Sequence, residues 1–146
     1  MLKQITVFLE NRPGRMEEVT GCLARESINL HALALADTTN FGILRMIVSD
    51  PEKAVRVLKE NSFMVKTTEV IAVAIGHSPG SLHSVLLEIK MLDISIEYMY
   101  AFTSRLTNHD AVVIFSLSDQ DAALAKMKGS NIPILGDDLL AQLNES

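Results

Sequence analysis

The sequence predicts an α+β fold in which one βαββαβ unit occurs twice, and three observations carry that prediction. The chain repeats itself, each copy opens with apolar residues at alternate positions, and each then passes through Pro-Gly into residues spaced for a helix. ITVFLENRPGRMEEV at 5–19 aligns with IAVAIGHSPGSLHSV at 71–85, an offset of 66. Ile5/Ile71, Val7/Val73, Pro13/Pro79, Gly14/Gly80 and Val19/Val85 match, and the alignment continues through Ile28/Ile94. After a three-residue slip, GILRMIVSDPEKAVRVL at 42–58 pairs with AVVIFSLSDQDAALAKM at 111–127, including the Ser-Asp steps at 49–50 and 118–119. A hairpin loop can absorb such a slip. The expectation is a tandem duplication with units at 1–67 and 68–146. No Gly/Ser/Pro-rich linker separates them, so the two are expected to pack rigidly, side by side.

The elements follow in order. Ile5, Val7 and Leu9 alternate with Gln4, Thr6 and Phe8, as in a strand with one face on a core. Pro13-Gly14 turns the chain. Met16, Val19, Cys22 and Leu23 then recur at helical spacing, with Glu17, Glu18, Arg25 and Glu26 opposite. Strands are predicted over 28–37 and 42–49, joined by a turn containing Thr38, Thr39 and Asn40. Asp50 is a natural N-cap with Pro51 at the first helical position, and Ala54, Val55 and Leu58 point inward from that helix. A short strand at 63–66 closes the first copy. The second copy gives strands near 69–76, 94–103 and 111–117, helices near 80–91 and 119–128, and a last strand at 131–135. A helical turn follows Asp137, with Asp137-Asp138 placed in its first turn.

A βαββαβ unit folds as an antiparallel sheet with both helices on one face, the ferredoxin-like arrangement. The opposite face must be covered or unusually polar, and Phe8 and Leu33, expected there, point to a cover. The helix near 80–91 is apolar over Leu82, Val85, Leu86, Leu87, Ile89 and Met91, wider than one stripe. The neighbouring strand carries Ile96, Tyr98, Tyr100 and Phe102 on one face. Both surfaces suit packing against a partner repeat or subunit.

Composition narrows the function. Hydrophobic residues make up 48% of the chain, which excludes an intrinsically disordered protein. The net charge is −5 with no basic run, which disfavours nucleic acid and anionic membranes as partners. A reader of RNA on this fold would also want paired aromatics on a basic sheet face. The single cysteine, Cys22, forms no internal disulfide and reads as a small core residue. The opening MLKQITVFLENRPG lacks a signal-peptide pattern. The longest apolar run, VIAVAI at 70–75, is far short of the roughly 20 residues of a membrane span. A cytoplasmic protein is expected.

Catalytic signatures such as G-x-S-x-G, a Walker loop, H-E-x-x-H or G-x-G-x-x-G do not occur. The histidines at 31, 77, 83 and 109 show no metal-ligand spacing. His83 reads as a solvated helix residue and His109 as part of a hairpin turn. No catalytic residue, metal or cofactor is expected. An acylphosphatase-like hydrolase would need an anion loop with a positioned arginine and an asparagine on a neighbouring strand. Arg12 or Arg15 could supply the cation, but the rest of that pattern is missing.

The informative segment is the strand-to-helix turn Glu10-Asn11-Arg12-Pro13-Gly14-Arg15-Met16. A helix N-terminus offers unpaired N–H groups and a positive dipole end, suited to a carboxylate. Gly14 lets a ligand approach the backbone, Pro13 fixes the turn, and the Asn11 side-chain oxygen can accept from an ammonium. Together they suit an α-amino acid. The alternative is that Asn11 only caps the helix and Pro-Gly only makes the turn.

Strand–ENRPGRM–helix–INLHALAL–strand resembles the ACT domain, a small regulatory module of metabolic enzymes, and most closely the one that ends some phosphoglycerate dehydrogenases. The resemblance extends over both repeats. It implies a stand-alone, non-catalytic sensor that binds a free amino acid between modules and acts on a separate metabolic enzyme or regulator. It also implies a homodimer. In that family the asparagine of the turn and an asparagine before the second strand contact the ligand, which correspond to Asn11 and Asn29. The ligand-binding residues implied are Asn11, Arg12, Pro13, Gly14, Arg15, Met16, Asn29, Leu30 and His31, with His77, Gly80, Ser81 and Leu82 at the second turn. Leu9 stands where the family has a histidine, and His77, Ser78 and Ser95 replace Asn11, Arg12 and Asn29 in the second copy. A ligand-free dimerisation scaffold of the same fold is the competing function.

Overall fold

The computed structural model describes residues 1–38, 40–103 and 111–145. Thr39 and the turn containing His109 lie outside the described residues. Residues Lys3–Thr68 form one compact unit, and Met1–Leu2 with Glu69–Ser146 form the other.

In the N-terminal unit the order is β1 (Leu2–Glu10), α1 (Arg15–Arg25), β2 (Leu30–Asp37), β3 (Phe41–Val48), α2 (Pro51–Glu60) and the first residues of β4 (Met64–Ile75). The sheet order is β2-β3-β1 with β4 beside β1. The register pairs Leu9 with Gly42 and Val7 with Leu44 across β1 and β3, and Leu35 with Leu44 across β2 and β3. Ile5, Val7, Leu9, Leu44 and Met46 bury one sheet face against Val19 and Leu23 of α1 and Ala54 and Leu58 of α2. This is the α+β, ferredoxin-like unit expected.

The C-terminal unit contains the end of β4, then α3 (Ser81–Met91), β5 (Ile96–Phe102), β6 (Ala111–Leu117), α4 (Gln120–Lys128) and α5 (Leu139–Asn144). β6 lies between β4 and β5, antiparallel to both. Its core joins Ile71, Val73, Phe115 and Leu117 to Val85 and Ile89 of α3 and Met127 of α4. Leu87 and Met91 of the broad apolar helix are exposed, the latter by 77%. On the N-terminal unit Leu33 is also exposed, whereas Phe8 is half-buried beneath Lys66 Nζ, 5.8 Å from its ring centroid.

The strands differ from expectation in three places, each for a local reason. The strands expected from residues 28 and 94 start two residues later, because Ile28 and Ile94 close the preceding helices. Their N–H groups donate to Leu23 O at 2.9 Å and Ile89 O at 3.3 Å, the Schellman arrangement, in which the closing residue is apolar. The strands expected at 63–66 and 69–76 are one strand, β4, since no Gly or Pro interrupts Met64–Ile75. The strand expected at 131–135 is instead a strap joined to β4 by the bridge Val73–Ile134. Pro133 has no N–H to give a ladder, and Ile134 N donates to Ile132 O at 2.9 Å.

The two Ser-Asp steps also diverge. Asp50 caps α2, its side chain accepting from Lys53 N at 3.1 Å with Pro51 following. Asp119 sits at φ 49° and makes no cap; Gln120 ties that corner instead, accepting from Leu117 N at 2.9 Å and donating to Glu69 O. Asp137 and Asp138 precede α5 rather than occupying its first turn, and Asp137 pairs with the Met1 ammonium at 2.6 Å.

Candidate functional site

β1 ends at Glu10 and α1 starts at Arg15, so four residues turn the chain from sheet to helix. Gly14 is the N-cap, at φ 87° and ψ −4°. A side chain in that left-handed region costs roughly 1–2 kcal/mol. A Cβ on Gly14 would meet nothing within 4 Å, so the demand is on backbone conformation and not on space. Gly80 repeats the geometry before α3, at φ 88° and ψ −4°. Neither helix has a side-chain cap, which corrects the reading of Asn11 as a helix cap. Asn11 lies three residues before the N-cap and is exposed. The first N–H groups of α1 are therefore left to water or to a ligand, at the positive end of the helix dipole.

The charges of the turn balance among themselves. Arg15 is only 8% exposed. Its Nη1 donates to Glu18 Oε2 at 2.6 Å, its Nη2 lies 3.5 Å from Glu10 Oε1, and its guanidinium covers the Phe63 ring. Arg12, half exposed, lies 3.4 Å from Glu10 Oε2 and 3.6 Å from Glu18 Oε1. Two guanidiniums thus meet two carboxylates. An incoming carboxylate finds the helix amides rather than an uncommitted arginine.

Beside this turn is a cavity of about 390 Å³. Asn11, Arg12, Gly14, Arg15 and Met16 line one side, with Leu9 and Glu10 from the end of β1. The facing wall is Leu35, Ala36 and Asp37 from the end of β2, and Gly42 from the start of β3. Pro13 belongs to the same turn without lining the cavity. The facing wall escaped sequence reasoning because it comes from a register that places Leu9, Gly42 and Asp37 side by side. The one local signal was Gly42, a residue without a side chain near the start of a strand that is otherwise apolar except for Arg45.

Asn29, Leu30 and His31 are not brought to this cavity within the N-terminal unit. Leu30 pairs with Val48 while Asp37 pairs with Gly42, which separates the two ends of β2 by roughly 20 Å at about 3.3 Å per residue. Asn29 is instead tied to Ser49, its N–H donating to Ser49 Oγ at 2.9 Å and its carbonyl accepting from Ser49 N at 2.9 Å. In the C-terminal unit His77, Gly80, Ser81 and Leu82 form the equivalent turn. Ser81 N donates to Ser78 O at 3.1 Å, Ser84 Oγ donates to Gly80 O at 3.1 Å, and Leu82 takes the place that Met16 has in the first turn. His83 is exposed. Among the described residues no cluster of three or more His, Cys, Asp or Glu side chains could hold a metal ion, and no helix is long and apolar enough to cross a membrane.

Duplicated ferredoxin-like units with matching Pro-Gly turns are accompanied by a family match. The ACT domain pair family matches residues 1–143. The chain belongs to the ACT domain pair family. A protein of known structure from Bacteroides thetaiotaomicron is 40% identical, with a TM-score of 0.85, over 99% of this chain and 96% of that one. The regulatory subunit of aspartate kinase from Thermus thermophilus superposes with a TM-score of 0.59 at 14% identity, over 88% of this chain and 91% of that one. Its counterpart from Thermus flavus gives 0.56 at 15%, over 87% and 90%. These last two likenesses are of fold. A comparison with curated protein sequences finds no match. In this ACT domain pair the first Pro-Gly turn lines a cavity, and the second keeps the same backbone with different side chains.

Proposed function

We propose that this ACT domain pair is a non-catalytic sensor of a free amino acid. The observation that carries the proposal is the cavity of about 390 Å³ at the uncapped N-terminus of α1. A ligand carboxylate would lie on the amides of residues 14–16, where the helix dipole and orphan N–H groups favour an anion. The ammonium would face Asp37 and the Asn11 side-chain oxygen. The side chain would rest on Leu9, Met16 and Leu35, which favours an apolar or weakly polar amino acid. Asn29–His31 would contribute only from a neighbouring module, and the turn at 77–82 would be either a second site or a structural mate of the first. Binding would stabilise one arrangement of modules over another, a population shift passed on to a separate partner. The Thermus aspartate kinase regulatory subunits supply the analogy for an enzyme as that partner.

Thermal denaturation against each proteinogenic amino acid at about 5 mM tests the proposal. A ligand at 100-fold over its Kd stabilises the native state by about 2.7 kcal/mol, a readily seen rise in Tm. No rise with any of them would refute amino-acid sensing. The second reading, a ligand-free dimerisation scaffold, is favoured by exposed apolar residues at one edge of the N-terminal sheet: Leu33 at 49%, Leu35 at 54% and Phe41 at 50%. It requires a dimer by sedimentation together with no thermal shift.

A further inference from the structure

The C-terminal unit contains a second cavity, of about 430 Å³, and none of residues 77–82 lines it. It exists because the strap at 132–136 does not complete the sheet. Ala74 N donates to Pro133 O at 2.9 Å and Leu135 N to Ala72 O at 2.8 Å, but Ile134 N turns back on Ile132 O. Leu124 of α4 and Ile132 and Ile134 of the strap line the cavity, with Ile71 and Ala72 of β4. Leu124 and Ile134 are only partly buried against the core, so their apolar surface faces the opening.

The charges at the mouth are unequal. Asp137 accepts from the Met1 ammonium at 2.6 Å, and that hydrogen bond and charge, with a smaller contribution from the Lys128 charge, hold the carboxyl below its ordinary value of 3.8. Lys128 stands one helical turn from Leu124, on the same face of α4. It makes no hydrogen bond or ion pair within 4 Å to any described residue. The mouth thus sets two cations, the Met1 ammonium and Lys128, against the one Asp137 carboxylate, a net positive charge beside an aliphatic floor. About half of the lining is polar, so the cavity pairs its aliphatic floor with a polar rim that can fix a ligand's orientation.

We propose that this cavity binds a small aliphatic monocarboxylate, its carboxylate on Lys128 and its hydrocarbon on Leu124, Ile132 and Ile134. A zwitterion fits less well, because its ammonium would have to displace the Met1 ammonium from Asp137. The inference does not depend on the amino-acid site of the N-terminal unit.

The test is an amide NMR titration of the full chain with 4-methylpentanoate, repeated with the uncharged 4-methylpentanamide and with a Lys128→Gln variant. Saturable shifts confined to amides of residues 71–72 and 124–137 are expected, with affinity falling about tenfold or more for the amide and for the variant, the scale of one lost charge-assisted contact. Lys128 is exposed on its helix, so the variant should fold, which its unchanged spectrum elsewhere would verify. Absence of saturable shifts at 71–72 and 124–137, shifts at 9–16 instead, or equal binding of acid and amide would overturn the proposal.

Discussion

The Arg15 guanidinium carbon lies 4.2 Å from the centroid of the Phe63 ring. One residue opens α1 and the other follows α2, so the contact joins the strand-to-helix turn to the end of the next helix. Arg15 also reaches Glu10 and Glu18 on either side of the turn. The residue is a brace for the turn more than a ligand-binding cation, and its burial follows from a planar guanidinium that can stack and donate at once.

Replacing that brace should be costly even with its charge conserved. Arg15→Lys keeps one positive charge but loses the stacked plane and the two-sided contact with Glu10 and Glu18. The expected loss is about 1–2 kcal/mol in urea unfolding, on the scale of a partly desolvated cation–π contact. A variant as stable as the parent would show that the Phe63 contact contributes nothing.

Gly42 tests the facing wall of the cavity. A Cβ there would approach Leu35 Cδ1 to 3.3 Å and Leu9 Cβ to 3.7 Å. Leu35 is half exposed and can give way, so Gly42→Ala should change stability by less than about 1 kcal/mol. It should nevertheless weaken binding of the amino acid found in the thermal screen several-fold, because Leu35 and the new methyl group both claim cavity space. Asn11→Ala should weaken the same ligand without loss of fold. If calorimetry gives both variants the parent affinity, the ligand does not occupy this cavity.

The repeated unit was legible because its signals are local. Alternation at Ile5, Val7 and Leu9, the Pro13-Gly14 turn and the Asp50-Pro51 helix start each lie within a few residues, and each is where the sequence places it. The Gly14 and Gly80 backbones agree to within a degree in φ. The strands start later than the sequence pattern implies at Ile28 and Ile94, since an apolar residue closing a helix looks the same as one opening a strand. The cavity was legible only on the side formed by the turn itself. Its other wall depends on the pairing of β1, β3 and β2, which is non-local, and the same register carries Asn29–His31 to the far end.

Among the described residues three helices end on a left-handed residue that is not glycine: Ser27 at φ 55°, Ser62 at φ 66° and Asp93 at φ 57°. Each follows its helix in the same closing motif, as in Ser62 N to Lys59 O at 3.0 Å and Phe63 N to Leu58 O at 3.0 Å. Glycine is the usual residue there because it escapes the steric cost of the left-handed region. Ser62→Gly should therefore raise unfolding stability by roughly 0.5–1 kcal/mol, the strain relieved exceeding the extra freedom gained by the unfolded chain. A lower urea midpoint in Ser62→Gly would mean that the serine compensates for its strain by other means.

The Lys3–Glu52 pair gives the N-terminal unit a modest pH dependence. Lys3 Nζ donates to Glu52 Oε1 at 2.8 Å, and this hydrogen bond, followed by the residue's own backbone N–H and the lysine charge, holds the carboxyl below its ordinary 4.5. A depressed folded pKa means that the native state holds its proton less tightly than the unfolded chain does. The stabilisation is accordingly complete above the unfolded value and is lost as pH falls through the folded one. Both side chains are substantially exposed, 49% and 71%, so the contribution should stay below about 1 kcal/mol and shrink in salt. Glu52→Gln should destabilise the protein slightly at pH 7, by an amount that falls toward zero at acid pH as the parent carboxyl becomes protonated too. An equal difference between the two proteins at both pH values would assign the effect to packing of the side chain and not to its charge.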